Sequence, residues 1–203
     1  FTGSLLLGHQ TTGVLDAAEY NTGVGLAALD AITTGDNNVA VGYNALTANT
    51  TGSSNAAVGY LALAANTTAS FNVASGGSAL TANTTGNSNT ASGYNTLRSN
   101  TTGSNNTASG TFALQANITG SQNTAIGRNA LSYQTGSNNT SLGYAAGDVI
   151  TTGTQNVLLG ASTDPSADDG TNQTVVGYNA TGQANNSVTL GNADVTAVYM
   201  SQD

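Results

Sequence analysis

Three-residue runs in which an apolar or branched position alternates with a small one recur along the chain, and each is followed by glycine. Val39, Ala40, Val41 precede Gly42, Val73, Ala74, Ser75 precede Gly76, and Thr124, Ala125, Ile126 precede Gly127. Alternation with a period of two over so short a run predicts a strand with two different faces. The glycine that follows predicts a turn, because glycine reaches backbone angles closed to other residues. A second short run follows, as in Tyr43, Asn44, Ala45 and Leu46, with leucine at its end in Leu29, Leu46, Leu63, Leu80, Leu97, Leu114 and Leu131. This run predicts a second strand. The unit closes on N-T-T-G-x-x, as in Asn49 to Ser54, a cluster of residues whose side chains bond their own backbone in turns.

These patterns are one repeating unit. Units open at Ser4, Asn21, Asn38, Asn55, Asn72, Asn89, Asn106, Asn123, Asn139, Asn156, Gln173 and Ser187, with seven steps of 17 residues followed by steps of 16, 17, 17 and 14. The fifth position does not vary: Gly8, Gly25, Gly42, Gly59, Gly76, Gly93, Gly110, Gly127, Gly143, Gly160, Gly177 and Gly191. So short a period leaves no room for a pair of helices, and the glycines at positions five and fifteen interrupt any single one. The prediction is an all-β parallel β-solenoid of about 12 coils, stacked at roughly 4.8 Å each. Residues 1–186 are expected to form the repeat domain, and 187–203 a final short coil and exit segment. Serine at position four in Ser75, Ser92 and Ser109 predicts a polar, water-filled stretch inside an otherwise apolar stack. The apolar content of each coil is modest, so several chains side by side are the expected way to complete the burial.

Composition narrows the partners. The chain of 203 residues has two strong cations, Arg98 and Arg128, against ten acids, for a net charge of -8. That balance leaves no basic surface for phosphates, so nucleic acid and anionic membrane are not expected partners. No cysteine is present, which removes disulfides and thiol nucleophiles, and no apolar run is long enough to span a membrane. The sequence begins at Phe1 with no basic and apolar leader, so any targeting segment is expected to have been removed or to lie upstream.

Candidate chemistry is sparse. His9, the single histidine, sits between Gly8 and Gln10 and reads as a solvated turn residue rather than a base. No catalytic residue and no cofactor is expected. Asp164, Asp168 and Asp169, around Pro165 and Gly170, form the one acidic cluster. They are the candidate Ca²⁺ ligands, although the alternating ligand spacing of a Ca²⁺ loop is absent. Tyr43, Tyr60, Tyr94, Tyr144 and Tyr178 share position six and align along one face, either as a partner-binding row or as a cap on the second strand. Asn49, Asn66, Asn83, Asn100 and Asn117 each head an N-x-T sequon and align as a row, for glycans or as a turn-stabilising ladder.

The coil-opening motifs, among them Asn123 to Gly127 and Ser187 to Gly191, resemble those of trimeric autotransporter adhesin heads, whose usual repeat of fourteen residues reappears in the final step. The longer unit, as in Asn106 to Gln122, is similar to repeats of phage tail fibres and bacterial surface fibres that precede an endosialidase-type chaperone. The closing stretch from Leu190 to Asp203 is similar to the exit segment of such fibres. The resemblance implies a left-handed β-roll in a homotrimer, extracellular on a cell surface or virion fibre, adhesive, and in contact with a host-cell glycan or surface protein. A different class stays open: an ice-binding solenoid using rows such as Thr50, Thr67, Thr84 and Thr101.

Overall fold

The computed structural model describes residues 5–7 and 18–198. Twelve strands stack in strict sequence order into one parallel sheet: β1 (Leu5–Leu7), β2 (Thr22–Val24), β3 (Val39–Val41), β4 (Ala56–Val58), β5 (Val73–Ser75), β6 (Thr90–Ser92), β7 (Thr107–Ser109), β8 (Thr124–Ile126), β9 (Thr140–Leu142), β10 (Val157–Leu159), β11 (Gln173–Val176) and β12 (Ser187–Leu190). Each strand is one side of a coil, and the register follows the repeat. Ala40 pairs with Ala57, Ala57 with Ala74, and, across the 16-residue step, Ala125 with Ser141. The chain is therefore an all-β parallel β-solenoid, as its periodicity predicts, with no helix among the described residues.

Two expectations are corrected. The run from Tyr43 to Leu46 is not a strand, and neither are its counterparts. It is a stack of turns in which alternate residues are left-handed, with φ of 53° at Asn44 and 50° at Leu46. These turns are still bonded between coils: Asn44 donates its N–H to the carbonyl of Leu26 below (3.0 Å), and Leu46 donates to Ala62 above (3.0 Å). Intercoil bonding of the backbone replaces the strand ladder there, so unfavourable left-handed angles persist at leucine.

The second correction concerns which strand face is inside. From β2 to β11 position three is buried, as at Ala40, Ala57, Ala74, Ala91, Ala108 and Ala125, while positions two and four face outward. Ser75, Ser92 and Ser109 are therefore on the surface and line no internal water-filled channel. Size explains the choice. The fully buried leucines from Leu29 to Leu131 fill the coil from the turn side, and only a small residue fits opposite them. Where the turn side shrinks, the strand side grows. Gly147 takes the leucine slot, and a Cβ there would lie 2.7 Å from both Leu131 Cδ2 and Leu158 Cδ1. Leu158 itself stands in the strand position that alanine occupies elsewhere.

Polar ladders run beside this core. Asparagines at position one, from Asn21 to Asn156, are buried, and the Oδ1 of each accepts the backbone N–H of the next. Typical distances are 2.9 Å from Asn38 to Asn21 and 3.0 Å from Asn106 to Asn89. A second row at position twelve passes the amide of each residue to the oxygen of the one before, as from Asn66 to Asn49 (2.8 Å) and Asn117 to Asn100 (2.8 Å). Both rows meet at the carbonyl of position fifteen. Gly52 O accepts Asn38 Nδ2 at 2.9 Å and Asn49 Nδ2 at 2.8 Å, which closes the coil on itself. The sequon asparagines are thus the turn-stabilising ladder. Their side chains are fully buried, with the amide nitrogen that a glycan would need already bonded.

The invariant glycines stack in a column. Gly42 has φ of 137°, and a Cβ there would lie 2.5 Å from the carbonyl oxygen of Gly59, so both the angle and the close approach require glycine.

Candidate functional site

With the core made of alanine, leucine and asparagine, the variable chemistry lies on two surfaces, the outward sheet face and the turn edge at position six. On the sheet face, positions two and four carry valine, threonine, serine, isoleucine, leucine and one alanine from β2 to β11 and no charge, although the chain bears ten acids. Its columns are apolar at both ends, at Val39, Val58 and Val73 and again at Ile126 and Leu142. Hydroxyls of Ser75, Ser92 and Ser109 fill the middle.

The position-six row is exposed. Tyr43 and Tyr60 stack with ring centroids 5.6 Å apart and planes 11° apart. Gly77 interrupts the row, and Tyr94 then meets Phe112, one position further along its coil, edge to face at 5.8 Å. Arg128 continues the row, with its guanidinium 5.8 Å from the centre of the Tyr144 ring. Tyr178 stands at the far end, 75% exposed. Among the described residues there is no second strand for these rings to cap, so they lie over the turns, partly exposed and partly covered by one another or by Arg128.

Threonines at position thirteen bond along the stack to the next coil. Thr50 Oγ1 donates to Thr67 O (3.0 Å), Thr84 Oγ1 to Thr101 O (3.1 Å) and Thr101 Oγ1 to Ile118 O (3.0 Å), so these hydroxyls serve the stack and are not a free array.

The acidic cluster is divided by the fold. Asp164 occupies the leucine position of its coil and is half-buried. Burial, and then the charge of Asp148, push its carboxyl up to about 6, against the opposing pull of the backbone N–H groups of Val149 and Gly147. Asp148 is raised as well, by burial. Asp168 and Asp169 point outward, with Asp168 Oδ2 accepting the hydroxyl of Thr151 at 3.2 Å. Among the described residues no three His, Cys, Asp or Glu side chains come close enough to hold a metal ion. His9 and Gly8 lie outside the described residues.

Sequence reasoning missed a cavity of about 270 Å³ at the turn edge, lined by Phe112, Gln115, Arg128, Asn129, Ser132, Tyr133 and Asp148. Its residues come from three successive coils. The available signal was Tyr133, which stands at position eleven, where Ala48, Ala65 and Ala82 stand in other coils. No protein family, curated relative or solved structure matches this chain.

Proposed function

We propose that this solenoid is a passive extracellular fibre module, an adhesin head or a tail-fibre shaft, which assembles as a homotrimer and presents repeated side-chain rows to a cell-surface partner without turning over a substrate. The observation that carries the reading is the uncharged, partly apolar sheet face on a chain of net charge -8. Copies that meet there bury valine, isoleucine and leucine columns without bringing their acids together. In a parallel assembly about one axis each coil meets its own counterpart, so apolar levels meet apolar levels and the serine levels meet each other. The turn edge, with its tyrosines, then remains outside. Repetition along the fibre and among the three chains turns weak contacts into avidity. The resemblance of the coil-opening motifs to adhesin heads and tail fibres supports the same reading. The ice-binding alternative is less well supported, because the hydroxyls of its threonine row are bonded within the chain.

Light scattering at micromolar concentration tests the assembly. The expected mass is three times 19.9 kDa, and Val58→Asp in the exposed sheet face is expected to lower it while leaving the circular dichroism of the coil intact. A folded wild-type monomer would overturn the assembly. Binding to cells tests the row: Tyr43→Ser, Tyr60→Ser and Tyr94→Ser together are expected to reduce it, and undiminished binding removes the tyrosines from the reading.

A further inference from the structure

The cavity at the turn edge lies where the repeat is least repetitive. In other coils position seven carries Asn44, Leu61 or Ser78, position ten Thr47, Ala64 or Thr81, and position eleven a small residue. Around the single 16-residue coil the same positions become Phe112, Gln115, Tyr133 and Asp148, and Arg128 takes the place of tyrosine at position six. Five departures from the consensus, spread over three coils, converge on one concavity.

Their chemistry is selective. Arg128, one of two strong cations in the chain, and Asp148 line the same cavity, yet Arg128 rests against the Tyr144 ring rather than on a carboxylate. A free anion would be drawn by Arg128 and repelled by Asp148, and a free cation the reverse. A hydroxyl suits both, since it accepts from a guanidinium while donating to a carboxylate. Asn129 and Gln115 add amide donors and acceptors, and the rings of Phe112 and Tyr133 add apolar surface for a face of C–H groups. A ligand that is neutral, rich in adjacent hydroxyls and apolar on one face is a sugar ring, and about 270 Å³ holds one such unit.

We propose that this cavity binds a single neutral hexopyranose unit of a surface glycan, with Arg128 and Asp148 sharing its hydroxyls and Tyr133 packing against its ring. The proposal rests on the reading of the chain as a fibre module that touches glycans, and it gives that contact a site separate from the stacked pair Tyr43 and Tyr60.

The probes are methyl glycosides of glucose, galactose and mannose, titrated against the full chain and followed by saturation-transfer NMR. Binding of at least one is expected at millimolar concentration. Arg128→Gln and Asp148→Asn, each folded by circular dichroism, are expected to weaken it by about tenfold or more, the usual consequence of losing a charge-assisted hydrogen bond. Tyr133→Ala is expected to weaken it too, whereas Tyr43→Ser combined with Tyr60→Ser, two rings that stack on each other away from the cavity lining, retains full affinity. No binding of any of the three sugars, or equal binding by the cavity variants, would each overturn the site. Cell binding that persists in the cavity variants and falls in the tyrosine variant would leave the fibre reading intact while removing this proposal.

Discussion

Asn106 gives the sharpest test of what holds one coil to the next. Its side chain makes three hydrogen bonds, Nδ2 to Asn89 Oδ1 (3.1 Å), Nδ2 to Gly120 O (2.9 Å), and Oδ1 from the backbone N–H of Asn123 (3.0 Å). Asn106→Ala removes all three, but the partners are not equally harmed. Asn89 Oδ1 still accepts the backbone N–H of residue 106, and Gly120 O still accepts Asn117 Nδ2 at 2.9 Å. The Asn123 N–H is left buried without a partner, at a cost of about 1–3 kcal/mol, and the two other lost bonds add roughly 0.5–1.5 kcal/mol each. A loss of about 2–6 kcal/mol corresponds to a Tm lower by roughly 4–24 °C for a chain of this size. Thr107→Val, on the adjacent outward position, serves as the reference and is expected to change stability by less than about 0.5 kcal/mol. Urea unfolding followed by far-ultraviolet circular dichroism measures both, with the slopes compared to detect loss of cooperativity in a stacked array. A difference below about 1 kcal/mol between the two variants would refute the view that the position-one ladder carries intercoil stability.

Gly93→Val is expected to disturb folding far more than Asn95→Ala. A Cβ at residue 93 meets the backbone of Gly110 at 2.9 Å with φ at 133°, whereas the left-handed angle of Asn95 is tolerated by Ala27 at the equivalent position; equal thermal stability of the two variants would contradict the glycine column. The raised carboxyl of Asp164 predicts a pH dependence of definite sign. Its folded value of about 6 lies above the ordinary 3.8, so the native state binds the proton more tightly and stability rises as pH falls from about 7 toward 4. Asp164→Asn is expected to flatten that rise, leaving the smaller contribution of Asp148; an unchanged slope in thermal melts at pH 5 and 7.5 would count against the buried placement.

Much of the solenoid is readable from residue order alone, because the fifth-position glycine and the seventeen-residue step leave few ways to stack. The strand faces are not. Alternation shows that Val41 and Ala40 face opposite ways but not which is inside, and the answer depends on Leu46 arriving from the far side of the coil to leave room only for alanine. The turn run misleads for a different reason. Left-handed angles at Leu46 and Leu61 contradict residue preference and are held by bonds to neighbouring coils, which exist only once the stack exists. The cavity escapes notice because Phe112, Arg128 and Asp148 are far apart in any one reading of the repeat and become neighbours only through register.

The asparagine ladder has a direction. Each Oδ1 points toward the coil that follows and receives its backbone N–H, while each amide turns back to the preceding oxygen or to its own coil. A completed coil therefore presents, at its position-one asparagine, an acceptor already aimed at the backbone of the coil still to be placed. Growth from the N-terminal side meets that prepared acceptor, in the order in which a ribosome delivers the chain. The template ends where Gln173 replaces asparagine. Its longer amide turns to Ser166 and Asn185 instead of to the next strand, and the copying stops there.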